Sequence, residues 1–344
     1  MEFLYEYGLF IAKTVTLAIA ILIVVGGVIS LATRQKRAKG NLEIDSISDH
    51  LAEVKERANH LICTKEELKK QQKEQKKADK TAKKEAKSKT PQDSNGKLYV
   101  VDFDGSMDAH EVDSLREEIT AILCIATPKD EVLIRLESGG GVVHGYGLAA
   151  SQLQRLKDKS IPLTIAVDKV AASGGYMMAC VADNVLAAKF AIIGSIGVIA
   201  QIPNFNKLLK KNDIDFEQHT AGQFKRTLTM FGENSDEGRE KFRLELEDVH
   251  HMFKGFVQEH RAELDIDKVA TGEYWYGSKA LELGLVDKIQ TSDDYLITAN
   301  DTQKIYSVKY SVKKNLAEKF GISVSAAVST VFMRLWSKSQ SLHK

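Results

Sequence analysis

Only four prolines and three cysteines occur in this chain of 344 residues, and neither charge sign dominates, the formal net charge being +1. Scarce proline beside plentiful glycine argues against a fibre or a disordered chain and favours a mixed α/β architecture. The cysteines, Cys63, Cys124 and Cys180, are odd in number and widely spaced, with no C-x-x-C pair. That excludes a disulfide framework and a cysteine-built metal site, and no metal or other cofactor is expected. Cys124 and Cys180 lie in apolar runs and are expected to be buried as small hydrophobes. The near-neutral average hides one basic stretch, since Thr64 to Pro91 holds eleven lysines against five acids. That stretch has no aromatic residue. A nucleic-acid interface needs basic residues interleaved with aromatics on a folded face, so nucleic acid is not an expected partner. The length suffices for one large domain, or two smaller ones, with a sizeable core.

Long apolar runs are also few. From Thr14 to Thr33 the chain reads TVTLAIAILIVVGGVISLAT, without a charge. About twenty such residues cross a bilayer as a helix. Glu2 and Glu6 stand where a cleaved signal peptide carries basic residues, and no small-x-small site follows. Residues 1–33 are therefore predicted to be a retained, single N-terminal anchor, with the bilayer as a partner. Arg34, Lys36, Arg37 and Lys39 follow the span, whereas only Lys13 precedes it. The positive-inside rule then places the downstream chain in the cytosol.

Residues 34–96 read as a charged, lysine-rich stem. Ile44, Ile47, Leu51, Val54, Ala58 and Leu61 recur at steps of three and four. That spacing predicts one helix face, either a coiled-coil seam or a helix packed on its own domain. The following KKQQKEQKKADKTAKKEAKSK has no apolar stripe and reads as a solvated helix or tether, suited to anionic headgroups. Beyond Gly96 the pattern changes. KLYVVDFDG, EVLIRLES, PLTIAVDKV, NVLAAKF and AIIGSIGVIA read as strands. Met107–Leu123, Tyr146–Lys157 and Tyr176–Asp183 read as helices between them. This alternation predicts an α/β layered domain with largely parallel strands. Residues 301–344 form a tail whose amphipathic part, Asn315 to Trp336, is too short in its apolar run to span a bilayer; a helix docked on its own domain reads equally well.

Three glycine clusters fall in order along the domain. Glu137-Ser138-Gly139-Gly140-Gly141 follows a buried strand, where glycines let backbone amides face a ligand. Ala171-Ala172-Ser173-Gly174-Gly175-Tyr176 places a serine between a strand and a helix start. There the Gly174 amide, at a helix N-terminus, can stabilise an oxyanion, although from these residues alone a plain N-cap serine is the better reading. Gly194-Ser195-Ile196-Gly197 reads, by itself, as a bend in a buried strand. A serine nucleophile needs a base, and no histidine lies between His144 and His219. A lysine can serve if a dry pocket favours its neutral form, and Lys225, in AGQFKR, follows a glycine and an aromatic residue.

The series ESGGGVVHGYG, VAASGGYMMACVAD, GSIGVI, AGQFKR and GEYWYGSKALELGLVD resembles the signal peptide peptidase A family of serine peptidases. The apolar anchor with a charged stem is similar to its SohB branch. The resemblance covers roughly Lys97 to Ile289 and implies a ClpP/crotonase-like spiral of ββα units, with the peptidase domain over 97–300. It implies Ser173 as nucleophile, Lys225 as general base and Ser195 as the hydroxyl that orients the lysine. The oxyanion hole it implies is the amide of Gly174 with that of Gly141 or Gly140, Gly139 standing where the family usually has proline. The related Clp peptidase fold uses a histidine soon after the serine, but here the corresponding residues are Gly197-Val198-Ile199. In relatives the serine and lysine of one site can come from different copies, which implies a homo-oligomeric ring. The implied substrates are extended or unfolded chains, such as signal-peptide remnants or membrane-protein fragments, at the bacterial inner membrane. On location the resemblance pulls partly against the charge rule, and the face stays open. Two rival readings are a catalytically silent membrane-tethered scaffold, which the intact Ser173, Lys225 and Ser195 argue against, and a crotonase-type acyl-CoA enzyme, which a bilayer anchor and a serine in the SGGY context fit poorly.

Overall fold

The computed structural model describes residues 7–10, 13–14, 16, 40–64, 66–67 and 96–312. The predicted apolar span lies outside them apart from Thr14 and Thr16, as do the lysine-rich run and the amphipathic C-terminal segment. Among the described residues no helix is long and apolar enough to cross a membrane. One compact unit runs from Leu42 to Tyr310; residues 1–41 and 311–344 fall in a second.

The frame of the larger unit is a mixed ten-stranded sheet. Its main path follows the order β1 (Asn41–Ser46), β10 (Lys304–Ser311), β2 (Lys97–Gly105), β3 (Glu131–Ser138), β4 (Leu163–Val167), β6 (Asn184–Ala187) and β9 (Lys288–Ile289). The pairs from β10 to β9 are parallel. Burial on both faces explains the near-continuous apolar runs of β2 and β3. Side chains alternate across the sheet with period two. Tyr99, Val101 and Phe103 enter the larger core cluster with Val132, Ile134 and Leu136. Leu98, Val100 and Leu133 enter the smaller one.

The larger cluster is covered by α2 (Val112–Ile125), α3 (Val143–Asp158), α4 (Gly174–Ala179) and part of α6 (Asp236–His260). The smaller is covered by α9 (Ser292–Ala299), with Ile47 of α1 (Ile47–Ile62) packed against it. In the larger cluster Val269 of α7 (Ile266–Val269) and Ala280 of α8 (Gly277–Glu282) also take part, whereas α5 (Asn206–Lys211) buries none of its residues.

Several expectations shift. The first part of the predicted stem belongs to the compact unit: Ile44 lies in strand β1, and the helix begins only at Ile47. Ser48 Oγ donates to Asn300 Oδ1 at 2.6 Å and accepts from the Ile305 amide at 2.9 Å, tying α1 to the sheet. PLTIAVDKV forms two strands, because the Asp168 carboxylate turns away to accept from the amide and hydroxyl of Ser292. The second piece is β5 (Val170–Ala172), a branch that pairs in parallel with β3 and with β7 (Ile192–Gly194). β7 pairs antiparallel with β8 (Tyr274–Tyr276). Cys180 is buried, but Cys124 is exposed on the outer side of α2.

Candidate active site

The branch strands gather the three glycine clusters. Ser138 is in register with Ala171, and Ala172 with Gly194. Three neighbouring parallel strands therefore end together, and the loops beginning at Gly139, Ser173 and Ser195 leave the sheet on one side. Carboxyl ends of parallel strands are where α/β sheets place their ligands.

Ser173 makes the corner between β5 and α4 at φ 52°. A non-glycine residue there costs on the order of 1–3 kcal/mol and persists only where the surroundings dictate it. Its amide donates to Gly194 O at 2.8 Å, and its carbonyl accepts from Met177 N at 3.0 Å. It stands at the N-cap position of α4, but its side chain makes no capping bond. Both flanking walls must be glycine. Gly140 has φ +83°, and a Cβ there would lie 2.8 Å from Ser173 Cβ; one on Gly174 would lie 2.4 Å from Cγ of Tyr146.

A small cavity of about 70 Å³ opens beside this serine. Gly141, Val143, Ser173, Gly174 and Met177 line it with Gly197, Val198 and Ile199, and α6 closes it with Val249 and Phe253. Two amides on its wall, those of Gly141 and Gly174, meet no acceptor among the described residues. The Gly140 amide is already committed, donating to Ser138 Oγ at 3.1 Å. Of the two candidates in the first cluster, Gly141 is thus the one with a free donor. A hydroxyl beside two unspent backbone donors has what acyl transfer to serine requires: a nucleophile and a place for the oxyanion.

No titratable side chain lines this cavity. His144 is exposed and absent from its wall. Ser195, at φ 51°, holds its loop by donating its amide to Glu273 O at 2.7 Å, and His250 Nε2 lies 3.2 Å from Ile196 O. Lys225 is not among the residues that line the Ser173 cavity. It sits in the exposed loop Ala221–Arg226, its amide donating to Gly222 O at 3.2 Å. Its ammonium has no ion pair or hydrogen bond among the described residues. Neighbouring groups form a separate groove of about 450 Å³, where Arg226 lies with Ile202, Phe216 and Phe231. Among the described residues no group of three or more His, Cys, Asp or Glu could hold a metal ion.

Sequence reasoning did not single out Ser138, Tyr146, Val249 or Phe253. Ser138 lay in plain view before the glycines, yet its acceptor role depends on the fold. Tyr146 lies within the same ESGGGVVHGYG motif with nothing local to mark its role, and Val249 and Phe253 come from α6, distant in sequence.

Two family models match in tandem: the N-terminal model of peptidase family S49 over residues 2–153, and the peptidase family S49 model over residues 155–306. The chain belongs to peptidase family S49, and it is a serine peptidase. Among similar proteins, the probable protease SohB of Haemophilus influenzae is 49% identical over 343 residues, covering 98% of this chain and 97% of that protein. The probable protease SohB of Buchnera aphidicola subsp. Schlechtendalia chinensis is 51% identical over 306 residues, 87% of this chain and 100% of the other. A putative protease of Methanocaldococcus jannaschii is 30% identical over 190 residues, 54% of this chain and 60% of the other.

Proposed function

We propose that this peptidase is a Ser–Lys endopeptidase, tethered to the bacterial inner membrane by residues 1–33, which cleaves extended peptides such as signal-peptide remnants or membrane-protein fragments. Ser173 is the nucleophile, Lys225 of a neighbouring copy in a homo-oligomeric ring is the base, and Ser195 orients the lysine. The ClpP-like ββα spiral is the fold this reading implies for the domain. The observation that carries the proposal is the composition of the Ser173 cavity: a strained serine, two free amides and no base.

An ammonium becomes a base only where desolvation favours its neutral form. An apolar wall such as that of Val198, Ile199, Val249 and Phe253 supplies such a setting once another subunit closes over it. The neutral lysine takes the proton of Ser173 Oγ as the oxygen attacks the peptide carbonyl. The oxyanion is held by the amides of Gly141 and Gly174. As the C–N bond breaks, the proton passes from the lysine to the leaving amine. Water, activated by the same lysine, then releases the acyl group from Ser173.

Hydrolysis of short apolar peptide esters by the purified full-length chain tests this. Ser173→Ala and Lys225→Ala are each expected to lose on the order of a thousandfold or more in kcat with assembly unchanged. Equal turnover in all three proteins would remove the dyad. A wild-type chain that assembles, turns over no ester and leaves Ser173 unlabelled by a fluorophosphonate would favour the silent scaffold.

A further inference from the structure

We propose that Tyr146 and Ser138 are positioning residues that set the oxyanion hole, a role that rests on the reading of Ser173 as nucleophile and of Gly141 and Gly174 as its donors. Neither touches the reacting atoms. Tyr146 is fully buried and Ser138 nearly so, and together they reach both walls of the hole.

The first wall is the glycine loop after β3. The Gly140 amide donates to Ser138 Oγ at 3.1 Å, Ser138 Oγ lies 2.5 Å from Tyr146 Oη, and Tyr146 Oη donates to Ser106 O at 2.7 Å. A tyrosine has one hydroxyl proton, and a carbonyl can only accept. With that proton on Ser106 O, Ser138 must be the donor to Tyr146. The 3.3 Å approach of Ser138 Oγ to Gly105 O is the longer competitor. The result is a one-way chain from the Gly140 amide to the Ser106 carbonyl, in which each bond polarises the next. It takes the Gly140 amide away from the substrate and fixes the loop so that the next amide, Gly141, faces the cavity. Beyond Gly141 the loop is pinned again, Val142 N donating to Met107 O at 2.9 Å.

The second wall is Gly174. Its Cα rests on the Tyr146 ring so closely that a Cβ would fall 2.4 Å from Cγ. The ring therefore sets the height of the Gly174 amide while the hydroxyl, through Ser138, sets the orientation of the Gly141 amide. A shift of either wall moves one donor relative to the other, and an oxyanion needs both at hydrogen-bond distance at once.

The test uses the full-length chain with Ser138→Ala, Tyr146→Phe, the double variant and Ser173→Ala. Active sites are counted by end-point labelling with a fluorophosphonate, and kcat and KM for a peptide ester are expressed per labelled site. We expect kcat to fall roughly ten- to a hundredfold in each single variant with KM within about twofold, since the lost contact is felt in the transition state. Because the two hydroxyls act in one chain, the double variant should lose no more than the worse single variant. A per-site kcat equal to wild type, or losses that multiply in the double variant, would overturn the proposal. Tyr146→Phe removes one oxygen and keeps the ring beneath Gly174, so it decides the matter if Ser138→Ala fails to fold. Ser173→Ala separates the two claims: full turnover there defeats the nucleophile assignment, whereas a Ser173-dependent enzyme with unchanged positioning variants defeats only the strut.

Discussion

At Ser173 the backbone and the side chain have separate determinants. The φ of 52° is enforced by the Gly194 carbonyl on one side and the start of α4 on the other, whereas the acyl side chain a substrate can offer is decided by what borders the cavity. At about 70 Å³ it holds little more than two waters' worth of volume. If this cavity receives the acyl side chain, a small apolar residue such as alanine is expected to be favoured over a leucine. Val249, half-buried on α6, forms part of that boundary and can be shortened without emptying the core. Val249→Ala should therefore raise kcat/KM for a leucine ester relative to an alanine ester by roughly tenfold, the usual worth of a methylene or two in an apolar pocket. Paired ester substrates measure this directly. An unchanged ratio would mean that the cavity beside Ser173 does not receive the side chain.

Two elements meet at a buried acid. Glu118, on the inner face of α2 and 5% exposed, accepts from the Tyr310 amide at 2.7 Å and so ties the helix to the end of β10. Burial pushes its pKa from the ordinary 4.5 up to about 7, chiefly by desolvation and further by Asp102, against the lowering effects of the Tyr310 amide and Lys309. The folded state thus binds a proton that the unfolded chain releases between about pH 4.5 and 7. Stability contributed by the neutral form is full below pH 4.5 and is lost as pH rises through 7. Glu118→Gln keeps an acceptor for Tyr310 without the charge, so its melting temperature should exceed wild type by a few degrees at pH 8 and match it near pH 4.5. A constant difference at both pH values would show that the carboxylate is not what titrates. The same elements show how far sequence carries. KLYVVDFDG and EVLIRLES match β2 and β3 to the residue, because strands buried on both faces are written as unbroken apolar runs. The helix expected from Met107 starts instead at Val112, since Ser106 binds the Asp108 and Glu111 carboxylates and holds a turn there. AIIGSIGVIA keeps only Ile192–Gly194 as strand, because Ser195 gives its amide to Glu273, nearly eighty residues later in the sequence. The corner at Ser173 and Gly174, between a strand and a helix start, was legible because a small-residue turn has a local signature, although the role assigned to Ser173 came from the resemblance. Tyr146 was not, because two of the groups it touches, Ser106 O and Gly174, are brought to it by the fold and not by the sequence around it.

For the whole molecule the chief fact is that the cavity beside Ser173 does not count Lys225 among its lining residues. Lys225 lies in a long excursion between β7 and α6 that buries little of itself. Ile199 is 78% exposed and Leu208 56%, with Phe216 and Phe231 both 42% exposed around their shared groove. Apolar surface of that extent is uncommon on a protein that works alone. In the proposed ring this excursion would lie over the next copy, covering its own apolar groups and bringing Lys225 toward the neighbour's cavity. The arrangement makes a prediction that a dyad within one chain does not. Ser173→Ala and Lys225→Ala subunits are each expected to be inactive alone, but after unfolding and refolding together they should regain activity. A site forms wherever the lysine of a Ser173→Ala copy meets the serine of a Lys225→Ala copy, about a quarter of interfaces for random equal mixing in a heterologous ring. Peptide-ester turnover of the mixed assembly, against each variant refolded alone, measures this. Recovery near that fraction supports sharing between copies, and no recovery from a mixed oligomer that assembles normally would return the lysine to its own chain.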